Sequence, residues 1–226
     1  RVDADGNLHG EWVLPTDPGV VGWHTLFSTC LCHPTVMMRR SLLDDLDGYA
    51  EWAAQAQDYE LWTRAVRETR LANLPDTLHQ LRRHDESVTA TKKGEQLRVC
   101  RKATAALHEA LLGEKAKEEF AHFLAWMSYE NVPRAIVETD VQDLSAVHEY
   151  VRALYRVYVR DVLSENRNVE VRRAALPKLD VLSELIAEEH GWVSGILHRI
   201  RARFMAPALE FLPWAKSAVK ERVALK

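Results

Sequence analysis

Glycine and cysteine are scarce in this chain: nine glycines and three cysteines stand among 226 residues. An odd number of cysteines with no secretory signal ahead of them argues against a disulfide framework and for free thiols in a reducing compartment. No apolar run reaches the ~18 residues that would span a bilayer, so no membrane-spanning helix is expected. Charge of neither sign is in large excess, and a formal net charge of -3 makes nucleic acid an unexpected partner. No fixed-period repeat is present, which leaves no basis for a solenoid. What is there is ordinary for a soluble globular protein, 47% hydrophobic and 28% charged. The length suits one large domain or two small ones. The chain opens on Arg1 rather than Met, and the expectation is a piece of something longer.

Residues 1–25 read as loop and hairpin. Asp3-Ala4-Asp5-Gly6-Asn7 is a dense turn signal. Asp3 and Asp5 have the spacing of a metal-binding Asp-x-Asp pair, but the Gly-Asn that follows favours a hairpin tip. Pro15, Pro18, Gly19 and Gly22 are expected to break any regular element. Cys30-Leu31-Cys32-His33 invites a metal reading. In an extended segment, however, His33 points away from the face the two cysteines share, and no second ligand pair sits at zinc spacing. Buried cysteines are the expectation.

Pro34 is placed at the start of a strand, Thr35 to Met38, whose consecutive apolar residues predict burial on both faces. Ser41 is in position to cap a short helix with Asp44 three residues on, and Gly48 is its natural left-handed stop. Asp58 opens the next helix, along which Tyr59, Trp62 and Ala65-Val66 recur at helical spacing. Asn73-Leu74-Pro75-Asp76 ends it, and Leu78 to Arg83 reads as a short strand with His84 at its mouth.

After Lys92 the apolar residues fall into helical periods. Leu97, Cys100, Leu107 and Leu111 form one stripe, closed by Gly113. Phe120, Phe123, Leu124 and Met127 form a second, and Leu144, Val147, Val151, Leu154 and Tyr158 a third. Leu179, Leu182, Leu185 and Ile186 form a fourth, ending near Gly191. Such stripes are core far more often than ligand contacts, so a helical bundle is expected over 93–226. The tail from Gly191 carries seven Lys and Arg (Arg199, Arg201, Arg203, Lys216, Lys220, Arg222, Lys226) against Glu210 and Glu221, interleaved with aromatics. That pattern suits peripheral contact with an anionic membrane face, and equally a helix pair docked on the bundle.

In order and spacing, several of these pieces resemble the C-terminal half of a family 2 glycosyltransferase catalytic domain of the GT-A type. The matching pieces are His33-Pro34-Thr35-Val36-Met37-Met38-Arg39-Arg40, Gly48-Tyr49, Asp58-Tyr59-Glu60-Leu61-Trp62, Asn73-Leu74-Pro75, and Arg82-Arg83-His84 with Ser87 and Thr89. The resemblance covers about residues 1 to 90. It implies an α/β fold, a partial GT-A-like domain over 1–92, followed by the all-α domain, the whole helix-dominated. The family's first half, with its nucleotide-cradling βαβ units and its Asp-x-Asp, is not in this chain. Gln57 stands where the family has Glu, and Leu81 where it has an aromatic.

The resemblance implies transfer of a sugar from a nucleotide-sugar donor to a hydroxyl of a glycan, lipid or protein acceptor. Inversion at the anomeric carbon and a cytoplasmic location, with polysaccharide biosynthesis as the setting, come with it. Such a transfer needs a carboxylate to take the acceptor proton, and cationic groups or a divalent metal (Mn or Mg) to hold the leaving diphosphate. Asp58 is then the base, where the residues alone suggest a helix N-cap. Gln57 and His33 become substrate contacts, Arg82 a phosphate clamp, and His84 a hydrogen-bond donor or metal ligand. Arg82 and His84 read equally well as a surface strand end. Because the metal-binding half is missing, the chain by itself is expected to be inactive. Two further readings stand beside this one. His84-Asp85 is the doublet of a His-Asp metal-dependent phosphohydrolase. The helical region, alternatively, is a non-enzymatic interaction module.

Overall fold

The computed structural model describes residues 2, 6–8, 10–11, 13–82, 92–129, 139, 141–163 and 168–190. The chain falls into two compact units, Arg1–Asp140 and Val141–Lys226. The change of sequence character at Lys92 puts the boundary between 92 and 93; the helix that starts at Lys93 belongs instead with the first unit.

Helices dominate, and no strand or sheet forms among the described residues, which overturns the expected α/β domain. The pairings there are two isolated bridges, Val2 with Leu8 antiparallel and Val2 with Arg82 parallel. A ladder needs a run of partners, and single bridges do not extend into one. His33–Thr35, with Pro34 inside it, is a 3-10 turn, and Val36 beyond it is extended, its N–H turned back to His33 O at 3.1 Å rather than to a neighbouring strand. Met37 is 98% exposed, against the two-sided burial expected of that segment. Residues 77–82 are likewise exposed and form no strand, with a single bridge at Arg82. Residue 83 and His84, where the second expected strand ends, lie outside the described residues, as does the tail from 191.

Helix α1 (Pro18–Thr25) forms where the prolines and glycines were expected to prevent regular structure. Its first position tolerates Pro18, whose missing N–H would have had no intrahelical partner. The Asp17 carboxylate caps it by accepting from the Val20 N–H at 3.0 Å. Helix α2 (Arg40–Asp45) begins two residues earlier than the Ser41 cap allows, and Arg39 precedes it without a side-chain cap. Its end is a Schellman turn: Gly48 N–H reaches Leu43 O at 2.9 Å and Asp47 N–H reaches Asp44 O at 3.1 Å. The left-handed residue at its centre is Asp47 (φ 56°), and Gly48 follows with φ 66°.

Helix α3 (Gln57–Glu68) is the hub of the first unit, with Tyr59, Leu61, Trp62, Ala65 and Val66 buried. Helix α4 (Lys93–Leu112) packs against it and ends at Gly113, whose φ of 57° suits glycine. Its buried stripe is Val99, Cys100, Ala103, Thr104, Leu107 and His108, rotated from the leucine row read in the sequence. Helix α5 (Glu118–Tyr129) packs on α4 through a core that includes Phe123 and Leu124. Two polar links cross this core. The Tyr59 hydroxyl donates to Thr25 O at 3.1 Å, so the Thr104 hydroxyl, 2.9 Å away, must be the donor to the phenol oxygen. The His108 Nε2–H donates to Leu26 O at 2.8 Å, which fixes the neutral tautomer.

In the second unit, helix α6 (Leu144–Val157) is capped by Asp143, which accepts from the Ala146 N–H at 2.8 Å. It runs on into a π-helical turn, Tyr158–Val162, and packs against helix α7 (Asn168–His190). The stripe Leu144, Val147, Val151, Leu154 and Tyr158 is buried as its periodicity indicates, facing a core that includes Val171, Ala175, Leu179, Leu182 and Ile186. Among the described residues no helix is long and apolar enough to cross a membrane.

Candidate functional site

The first turn of α3 carries Gln57 and Asp58. Ala56 is the N-cap, with no side chain to offer, so Asp58 is not the cap the isolated sequence suggests. It sits inside the helix, half-buried, and its Oδ1 accepts from the Tyr59 N–H at 2.8 Å. Among the described residues Oδ2 has neither a hydrogen bond nor an ion pair. Gln57, beside it, is exposed.

One helical turn further along, on the same face, is Trp62. The indole is buried, and its Nε1–H meets no acceptor among the described residues. The His33 ring stands edge-on to it, with centroids 6.3 Å apart. His33 in turn meets Tyr49: Nε2 lies 3.1 Å from the phenol oxygen, and the rings are 6.0 Å apart. Trp62, His33 and Tyr49 therefore form a connected group, and Asp58 lies one helical turn before Trp62 on the same side of α3.

The turn that delivers Tyr49 is tied to the same helix. Arg64 makes a two-pronged pair with Glu60, Nε to Oε1 at 2.8 Å and Nη2 to Oε2 at 2.7 Å. The same guanidinium donates to Gly48 O at 2.8 Å and to Leu46 O. Glu60 is buried, which an unpaired carboxylate would not tolerate; the pair and the carbonyls make the burial acceptable. Sequence reasoning missed this clamp. Its one sequence signal is the Glu60-x-x-x-Arg64 spacing, the favourable order for a helical ion pair.

Other candidates lie elsewhere. Arg82 is exposed, with its backbone bridged to Val2 and its guanidinium tied to none of the α3 group. His84, and the His84-Asp85 doublet, lie outside the described residues. Asn73 of the Asn-Leu-Pro piece holds two loops together, donating from Nδ2 to Pro15 O at 2.8 Å and to Cys30 O at 3.0 Å. Cys30 is buried with its sulfur 3.6 Å from Val21 O, and burial pushes its thiol up to about 12, so it rests as a neutral thiol. Among the described residues no three His, Cys, Asp or Glu side chains gather as a metal site. Comparison with protein-family models, with curated proteins and with solved structures found no match to this chain.

Proposed function

We propose that the α3 group is the acceptor side of a sugar-transfer site, with Asp58 as the general base. The observation that carries this is the state of its carboxylate. One oxygen is fixed by the Tyr59 N–H, and the other is unengaged among the described residues, on a half-buried group. A base needs that combination: an oriented carboxylate with a lone pair left to take a proton.

In the reaction, Oδ2 takes the proton of an acceptor hydroxyl as its oxygen bonds to the anomeric carbon of a nucleotide sugar. The bond from that carbon to the phosphate oxygen breaks, and its electron pair leaves with the nucleoside diphosphate. His33 and Tyr49, polar groups bordering the buried Trp62 indole, orient the acceptor; Gln57, exposed at the helix start, is a second hydrogen-bonding contact. The motif order from His33 to Thr89 is the further support for this reading.

The test is nucleotide-sugar turnover by the chain and by any longer polypeptide that contains it, each compared with Asp58→Asn. A loss of about a hundredfold or more with unchanged far-UV circular dichroism supports the base. Turnover indifferent to the substitution removes that role. No turnover with any donor favours a second reading, a non-enzymatic helical interaction module. Its specific support is apolar exposure in the loops: Met37 at 98%, Leu74 at 69% and Leu78 at 65%.

A further inference from the structure

We propose that Arg64 is the positioning residue of the α3 group, holding the turn after α2 so that Tyr49 meets His33 over Trp62. The contacts close a ring. Arg64 on α3 binds Leu46 O and Gly48 O; Tyr49 is the next residue; its hydroxyl meets His33; and the His33 ring stands against Trp62, back on α3. Two ties from one rigid helix thus fix a segment that has no sheet to support it.

Several features separate this clamp from an ordinary surface ion pair. Exposed pairs of this spacing contribute little, because both side chains remain free to wander. Here the Glu60 side chain is 7% exposed and the Arg64 side chain 31%. Three of the guanidinium nitrogens are committed, Nε and Nη2 to Glu60, Nη1 and Nη2 to the turn. The accepting carbonyls are those of the α2 C-cap, Leu46, and of Gly48 two residues beyond it. Asp47 between them is the left-handed residue of the Schellman turn, a conformation that aspartate tolerates better than most residues, and the guanidinium ties the carbonyls on both sides of it. A planar fork can serve a carboxylate and two carbonyls at once; an ammonium at the same place cannot keep both prongs on Glu60 and reach both carbonyls.

The consequence for transfer rests on the reading above, whereas the geometry is testable without it. The experiment records nuclear Overhauser effects between the His33 ring and Tyr49 and Trp62 in the wild type, Arg64→Ala and Arg64→Lys. Those between Tyr59 and Thr104 report on the folded core. In Arg64→Ala the His33–Tyr49 signals disappear while the Tyr59–Thr104 signals persist; in Arg64→Lys they are weakened but present. Full-strength His33–Tyr49 signals in a folded Arg64→Ala overturn the proposal. If Arg64→Ala does not fold, Arg64→Lys decides in its place: weakened His33–Tyr49 signals support the proposal and full-strength ones overturn it. Where the wild type transfers sugar, Arg64→Ala lowers kcat by about a hundredfold, the cost of an ångström-scale misplacement, and Arg64→Lys recovers part of it. Unchanged kcat in a variant whose Tyr49 no longer meets His33 overturns the positioning role. No transfer by the wild type strikes the sugar-transfer reading alone, because the nuclear Overhauser effects still decide the geometry.

Discussion

His108 makes the stability of the first unit depend on pH in a way that one substitution can isolate. The imidazole is fully buried on α4, edge-on to Phe27 at 5.9 Å, and its Nε2–H serves Leu26 O. Burial disfavours the cation and lowers the ring from 6.5 to about 4; the bond to Leu26 O opposes this without offsetting it. The unfolded chain therefore binds a proton below pH 6.5 that the folded chain refuses until about 4. His108 withdraws no stability above 6.5 and progressively more as pH falls towards 4. A separation of about 2.5 pK units at ~1.4 kcal/mol each gives a loss on the order of 3 kcal/mol by pH 4. That is a large share of the ~5–15 kcal/mol by which domains of this kind are stable. His108→Gln keeps a donor for Leu26 O and cannot be protonated. Urea unfolding of both proteins from pH 7 to pH 4 gives two stability curves, and all other titrating groups cancel in their difference. The wild type should fall relative to His108→Gln by about 3 kcal/mol across that window. A difference that stays flat with pH would refute the argument.

Two further expectations follow from local geometry. Tyr59→Phe removes the donor to Thr25 O and the acceptor for Thr104, and should lower stability by about 1–3 kcal/mol in denaturant unfolding; an unchanged midpoint would mean the hydroxyl pair contributes nothing. Asp47→Gly relieves a left-handed residue at the end of α2 and should raise stability by about 0.5–1 kcal/mol, with a lowered melting temperature counting against that assignment.

How far the fold was legible depended on whether an element's partners were local. Helices α4 to α7 announce themselves because a helix satisfies its own backbone, and a stripe such as Leu144 to Tyr158 needs only one apolar neighbour. Even so, of Leu97, Cys100, Leu107 and Leu111 it is Cys100 and Leu107 that α4 buries, joined by Val99, Ala103, Thr104 and His108, while Leu97 and Leu111 are half-buried. The strands were misjudged for the opposite reason. Thr35 to Met38 has strand-like composition, but its hydrogen bonds would have to come from distant chain, and none of the described residues supplies a ladder. Helix α1 was hidden by treating Pro18 as a breaker, when Asp17-Pro18 is a cap and a first turn. At the site, Asp58 and His33 were visible as residue types in a familiar order. The Arg64 clamp was half visible: its bond to Glu60 is a spacing rule, whereas its bonds to Leu46 O and Gly48 O span 16 to 18 residues of intervening chain.

The phenol of Tyr59 has a consequence for motion. It joins α1 and α4 at the residue directly after Asp58, so the carboxylate is anchored at the point where three helices are stapled together. Shifting that carboxylate would mean parting hydrogen bonds in the dry interior. Shifting Tyr49 would mean releasing the partly solvated Arg64 guanidinium from the turn and the Tyr49 hydroxyl from His33, both at the border with solvent. Any opening and closing around this group should therefore be carried by the loop between α2 and α3 moving over a stationary base, as a jaw moves against a fixed anvil.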